Sequence, residues 1–224
     1  LLEKLFHDDY EHLKGKKLPD HIRSVSAEGI GQVKLIDATP IGINVRSTVA
    51  TYANVHDELR KTFARTADAK QMGLKAGDFS YNTGKLRCPV CDGTGVISLD
   101  VQFLPDVKIT CPDCRGSRYS KDALKIRYTN KKEKHGRSCS LPELMAMDVA
   151  TALKVCENLK TVHQRLQILR DLGLGYLTLG EETPSLSGGE AQRLKLASEM
   201  GRPQGDSIFV FDEPTIGLHP LDVQ

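Results

Sequence analysis

Three observations predict an α/β fold that carries inserted helical and zinc-binding modules. An uninterrupted apolar run, Ile208–Phe211, ends directly in Asp212-Glu213, as a buried strand ends at the ligand-binding edge of a parallel sheet. One loop upstream, the glycine-rich octet Leu186–Arg193 opens a helix. Between about 80 and 120 the composition shifts to Gly, Pro and two cysteine pairs, Cys88-x-x-Cys91 and Cys111-x-x-Cys114.

Bulk properties narrow the classes further. The 224 residues suffice for a substantial core, and 39% hydrophobic with 27% charged residues is ordinary for a water-soluble chain. A net charge of +2 excludes a uniformly basic nucleic-acid binder, so any basic surface must be local. No apolar run reaches membrane-spanning length and no signal-peptide pattern opens the chain, which predicts a cytoplasmic location without membrane contact. The chain begins inside an amphipathic run and lacks an initiator methionine, so it reads as a piece of a longer protein.

In order, Leu1, Leu2, Leu5, Phe6 and Leu13 form a helical stripe, and Val33–Ile36 is a short strand. Asn54 is placed as an N-cap for a helix whose face is Val55, Leu59 and Phe63. Ile97, Leu99, Val101 and Phe103 alternate with polar residues, Pro105-Asp106 turns the chain, and Val107 and Ile109 alternate back. That is a hairpin with a Cys pair at each outer end. From Lys121 to Arg137, seven Lys/Arg face two acids. Ser140-Leu-Pro-Glu143 is a capping box, followed by helices marked by Val149, Leu153 and Cys156 and by Val162, Leu166 and Leu169. Ala191, Leu194, Ala197 and Ser198 mark the buried face of the helix behind the octet.

Cys88, Cys91, Cys111 and Cys114 offer four soft thiolates at tetrahedral spacing, which selects zinc. With every position filled by sulfur no water can coordinate, so the metal would be structural. Cys139 and Cys156 stand apart as ordinary residues. Lys85, Arg87, Arg115 and Arg118 surround the tetrad and are candidates for contact with DNA phosphates. Cys88–Gly95 also looks like a zinc repeat of DnaJ-type co-chaperones, but only one full and one partial copy are present.

Ser187, Gly188, Gly189, Glu190 and Gln192 lie where backbone N–H groups at a helix start can meet a phosphate. Ser187 and Glu190 also form an S-x-x-E capping box, which explains two of the eight residues without any ligand. Asp212 at a strand end can hold Mg²⁺, and Glu213 can orient an attacking water. The octet resembles the signature motif of ATP-binding-cassette (ABC) ATPases, and Ile208–Glu213 resembles their Walker B motif. Thr215–His219 resembles the D-loop of such proteins. No G-x-x-x-x-G-K-[ST] occurs, so the phosphate-cradling P-loop is missing.

Asp37–Gly42, Arg46-Ser47, Ala50–Tyr52, Gly77–Ser80, both Cys pairs, Phe103–Val107, Gly173–Tyr176 and Lys195–Glu199 are together similar to the second half of the UvrA family. The resemblance implies part of an ABC-type P-loop NTPase domain. Residues 1–45 would belong to its ATP-binding core without Walker A. Residues 46–200 would be the helical signature domain with the zinc module inserted at about 80–120, and 201–224 a truncated core with Walker B. It also implies Zn²⁺, ATP and Mg²⁺, binding of double-stranded DNA, damage recognition in nucleotide excision repair, a homodimer and a UvrB-like partner of the parent protein. Ala38 departs from the family's glutamine and cannot hydrogen-bond through its side chain, which suits a paralogue in resistance to DNA-binding drugs. The other alternative is a zinc module for protein docking without DNA. Without its P-loop, the chain alone is expected to be inactive as an ATPase.

Overall fold

The structure, a computed structural model, describes residues 29–42, 44, 46–99, 107–130, 138–200 and 205–215. Strand β1 (Gln32–Ile36) pairs in parallel with β6 (Ser207–Phe211), placing Ile36 beside Phe211. Parallel strands cannot be joined by a tight turn. Here the crossover contains every other described element, so the helical and cysteine-rich parts are an insertion between two neighbouring strands. Asp37 and Asp212 consequently emerge at the same end of the sheet.

One expectation for this sheet fails. Ile208–Phe211 was predicted to be a buried central strand, yet Ile208 is 41% and Phe211 45% exposed. Among the described residues β1 is the strand that pairs with it, which leaves these side chains at a sheet edge. Phe209 is instead covered by the Lys34 ammonium, 5.4 Å from the ring centre.

Within the crossover, α1 (Val49–Tyr52) starts at a capping box between Thr48 and Thr51. Helix α2 (Val55–Phe63) buries Val55, Leu59 and Phe63 as expected. Asn54, however, makes no side-chain cap; it sits in the left-handed region at φ 57°, a conformation Asn tolerates better than most residues. Helix α3 (Ala67–Gln71) is capped by Thr66, and α4 (Leu141–Met145) by the expected Ser140–Glu143 box. Helices α5 (Val149–Val155) and α6 (Lys160–Leu169) bury Val149, Leu153, Val162, Leu166 and Leu169. The chain leaves α6 through a wide turn over Arg170–Leu174, where Gly173 takes φ 74°.

Helix α7 (Gly188–Met200) begins in the octet and buries Ala191, Leu194, Ala197 and Ser198, the expected face. One continuous hydrophobic core joins these helices. Strands β2 (Val96–Leu99) and β3 (Val107–Thr110) form the expected antiparallel hairpin, with Ile97 opposite Ile109. Short strands β4 (Tyr128–Thr129) and β5 (Ser138–Cys139) also pair, which puts the buried Cys139 on a strand. The Leu1–Leu13 stripe, the hairpin tip through Phe103, the basic run 131–137 and the segment 216–224 with Gly217 and His219 lie outside the described residues. No described helix is long and apolar enough to cross a membrane.

Candidate functional site

The four-cysteine cluster is built by two knuckles of the same design. Cys91-Asp-Gly-Thr-Gly95 and Cys114-Arg-Gly-Ser-Arg118 each turn through left-handed residues at matching positions: Asp92, Gly93 and Gly95 in one, Arg115, Gly116 and Arg118 in the other. Gly93 is required by space as well as by φ. A Cβ there would lie 1.7 Å from the Tyr81 carbonyl oxygen. The knuckles are tied side by side by Cys88 N–H donating to Arg118 O (2.9 Å) and Ser120 N–H to Leu86 O (2.8 Å). Hairpin β2–β3 then brings Cys111 back to the first pair, with Cys111 N–H on Gly95 O at 2.9 Å.

The result is a buried cluster in which all four Sγ atoms lie within 4.8 Å of one another. Cys88 and Cys111 sulfurs are 3.9 Å apart, Cys91 and Cys114 3.6 Å. Tetrahedral Zn–S bonds of ~2.3 Å require S–S edges of ~3.8 Å, so these residues fit the ion; a disulfide would need sulfurs at ~2.05 Å. Gly95 N–H donates to Cys91 Sγ at 3.2 Å, as a thiolate needs. Burial pushes the Cys114 thiol up to about 12. Burial also opposes ionisation of Cys91, but the Gly95 N–H and neighbouring thiols outweigh it and bring that thiol down to about 7.

The four cations named from sequence separate into two groups. Lys85 is exposed, with Asp78 4.0 Å from its ammonium. Arg87 is half-exposed, donating to Asn82 O at 3.2 Å and pairing with Asp92 at 3.1 Å. Arg115 stands on the outer turn of the second knuckle and is exposed. Arg118 is not available to DNA: it is 4% exposed, ion-paired with Glu182 at 2.8 Å and placed over the Tyr81 ring. Its side chain turns inward to Glu182 and Tyr81, which spacing alone could not reveal.

At the other end of the crossover, Ser187 N–H donates to Glu190 Oε2 at 2.7 Å and Glu190 N–H to Ser187 Oγ at 3.4 Å. The capping box is thus formed. Tyr176 donates its hydroxyl to Glu190 at 2.5 Å. Burial would raise the Glu190 carboxyl, but the Tyr176 and Ser187 hydrogen bonds and Arg193 hold it below its ordinary value. Gly189 is buried, and a Cβ on Gly188 would meet Ala38 O at 3.2 Å. The residue that departs from the expected glutamine therefore packs directly against the helix start.

Gln192, named as a ligand contact, is buried and committed elsewhere. Its amide donates to Ile36 O (3.1 Å) and Asp212 O (2.7 Å), joining the ends of β1 and β6. Lys195 ties the same helix to the chain leaving β1, through an ion pair with Asp37 and a 2.8 Å hydrogen bond to Thr39. Asp212 and Glu213 are both exposed beyond β6, Glu213 at φ 47°. Lys195, Asp37 and Tyr176 were not picked out as site residues; Lys195 four residues after Ala191 on one helix is the sort of spacing that could have suggested a contact one turn on.

No protein-family model matches the chain. UvrABC system protein A of Synechocystis sp. is 40% identical over the whole chain, which spans 23% of that protein. The same protein of Aquifex aeolicus is 44% identical over 88% of the chain and 20% of its own length. The crystal structure of UvrA2 from Deinococcus radiodurans superimposes with a TM-score of 0.76 at 41% identity, over 87% of the chain and 23% of that protein. The chain thus spans under a quarter of the length of the relatives it matches.

Proposed function

Because the chain belongs to the UvrA family, we propose that it supplies a structural zinc module and one half of an ATP site to a DNA-binding ABC ATPase of nucleotide excision repair. The observation that carries this reading is the junction at Gln192, which fastens the octet helix to the strand ends bearing Asp212 and Glu213. A phosphate-facing helix start and two carboxylates then move as one block.

In this reading residues 29–42 and 205–215 are part of the ATP-binding core, and 46–200 the signature domain with its zinc module. Ser187, Gly188 and Gly189 face the γ-phosphate of a nucleotide held by another cassette, with Glu190 fixing the turn. Asp212 fits Mg²⁺ as a single exposed carboxylate that leaves room for the waters this ion keeps. Glu213 is the candidate to orient the attacking water. When bound, ATP with Mg²⁺ supplies the phosphoryl chemistry. Zinc holds the knuckles and presents Lys85, Arg87 and Arg115 to a duplex backbone. Dimerisation and a UvrB-like partner belong to the whole protein in the same reading.

Salt-dependent DNA binding tests the proposal. Lys85→Glu, Arg87→Glu and Arg115→Glu together are expected to flatten the slope of log affinity against log salt by roughly 2 to 3, since each lost phosphate contact removes about 0.9. An unchanged slope favours the docking alternative, for which the exposed Val90 at the first knuckle (54%) speaks. ATP turnover by this chain alone would overturn the half-site.

A further inference from the structure

The two knuckles share left-handed backbone at all three positions, but at the last, where the first knuckle has glycine (Gly95), the second has Arg118, at φ 70°. A side chain in that conformation costs about 1 kcal/mol or more that glycine would not. The compensation lies outside the knuckle. Arg118 reaches Glu182 at 2.8 Å and lies 5.3 Å over the ring of Tyr81. Tyr81 is itself fixed by donating to Arg46 O at 3.0 Å, with Thr48 Oγ1 3.2 Å away.

Glu182 is where the chain enters the octet. It bridges to Thr48, and the next residue, Thr183, donates its N–H to Ser47 O at 3.0 Å and its hydroxyl to Ile41 O at 3.2 Å. The turn Thr183–Ser185 then delivers Leu186 and Ser187. Arg46 supplies a second, more exposed link by donating to Asp92 O of the first knuckle at 3.0 Å.

We infer that Arg118 is a positioning residue that couples the cysteine tetrad to the octet: a metal-ordered knuckle holds Arg118, and Arg118 holds the turn into Ser187. The coupling itself does not depend on what the octet binds. Its consequence, that metal occupancy tunes a phosphate-facing loop, rests on the reading given above.

Hydrogen exchange on this chain, with zinc and with zinc removed by a chelator, tests the inference. Arg118→Gly installs the residue that the twin position already has, so the knuckle can keep its turn. The variant should retain one zinc per chain while the Thr183, Ser185 and Leu186 amides exchange at least about tenfold faster than in the parent. Chelation should accelerate those amides in the parent and much less in R118G, the remainder travelling through Arg46–Asp92. Glu182→Gln should reproduce the effect with Arg118 intact. Parent-like protection in R118G, an undiminished response to chelation, or loss of zinc from R118G would each overturn it, the last by placing the role of Arg118 inside the knuckle.

Discussion

The tetrad and the octet lie in one chain yet are built on opposite plans. The knuckles contain their own ligands, their own turns and the N–H donor aimed at a sulfur, all between Cys88 and Arg118. The residues proposed to face a nucleotide come from Ser187–Gly189 and from Asp212-Glu213, brought together where Gln192 spans two strand ends. A site made locally fails when its own residues change. One assembled at a junction fails when the junction does, even with every named residue in place.

The largest expected effect is on the local site. Removing zinc, or replacing Cys111 by Ser, should unfold the knuckles and hairpin, because apparent zinc binding energies of about 10–16 kcal/mol are folding energy in such modules. Metal analysis should find one zinc per parent chain and none in the variant. The larger helical core, which packs separately from the cysteine cluster, should keep its helical circular dichroism. Collapse of the whole chain on chelation would erase the contrast between the two regions.

The junction comes next. Gln192→Leu keeps the volume but leaves the Asp212 carbonyl without its amide donor and takes one of two donors from Ile36 O, which keeps the Asp212 N–H at 3.1 Å, expected to cost about 1–3 kcal/mol in urea unfolding. Faster exchange in β1 and β6 should accompany it, with the zinc content untouched.

A third measurement concerns what lies between the two regions. His56 is buried against Tyr119, its Nε2 2.8 Å from a hydroxyl that itself donates to Phe79 O. Burial, with Arg60 nearby, brings its pKa down from 6.5 to about 4. The folded form therefore resists a proton that the unfolded chain accepts below 6.5. Stability is full above pH 6.5 and falls as pH drops toward 4, then levels for this group. Thermal melts at pH 7 and pH 5 should diverge for the parent, and His56→Gln should reduce the divergence.

Legibility followed the same division. The tetrad could be read because CxxC spacing is a local property that hairpin geometry then completes. The helix faces of α5, α6 and α7 were readable for the same reason, as periodicity is local. The burial of β6 was not, since it depends on neighbours that the run Ile208–Phe211 cannot specify. Nor was the inward turn of Arg118, whose charge pointed to solvent while its place in the knuckle repeat pointed to Glu182. The structural role of Gln192 was not legible either, because a polar residue inside a ligand motif looks like a ligand contact, and only the strand ends beside it show the carbonyls its amide meets.

The smallest expected effect separates capping from phosphate contact within the octet itself. Ser187 Oγ accepts from Glu190 N–H at 3.4 Å, a long bond, whereas the return bond from Ser187 N–H to Glu190 is 2.7 Å and uses no hydroxyl. Ser187→Ala removes only the weaker half. A hydroxyl whose work is capping should cost about 1 kcal/mol on removal, and Ser187→Gly a few tenths, since glycine is itself tolerated at that position. Because the bond is long, stability loss in S187A should fall at or below the low end, about 0.5 kcal/mol, in urea unfolding. A loss near 2 kcal/mol would mean the hydroxyl is spent on the helix, leaving Gly188 and Gly189 as the octet's main means of meeting a phosphate.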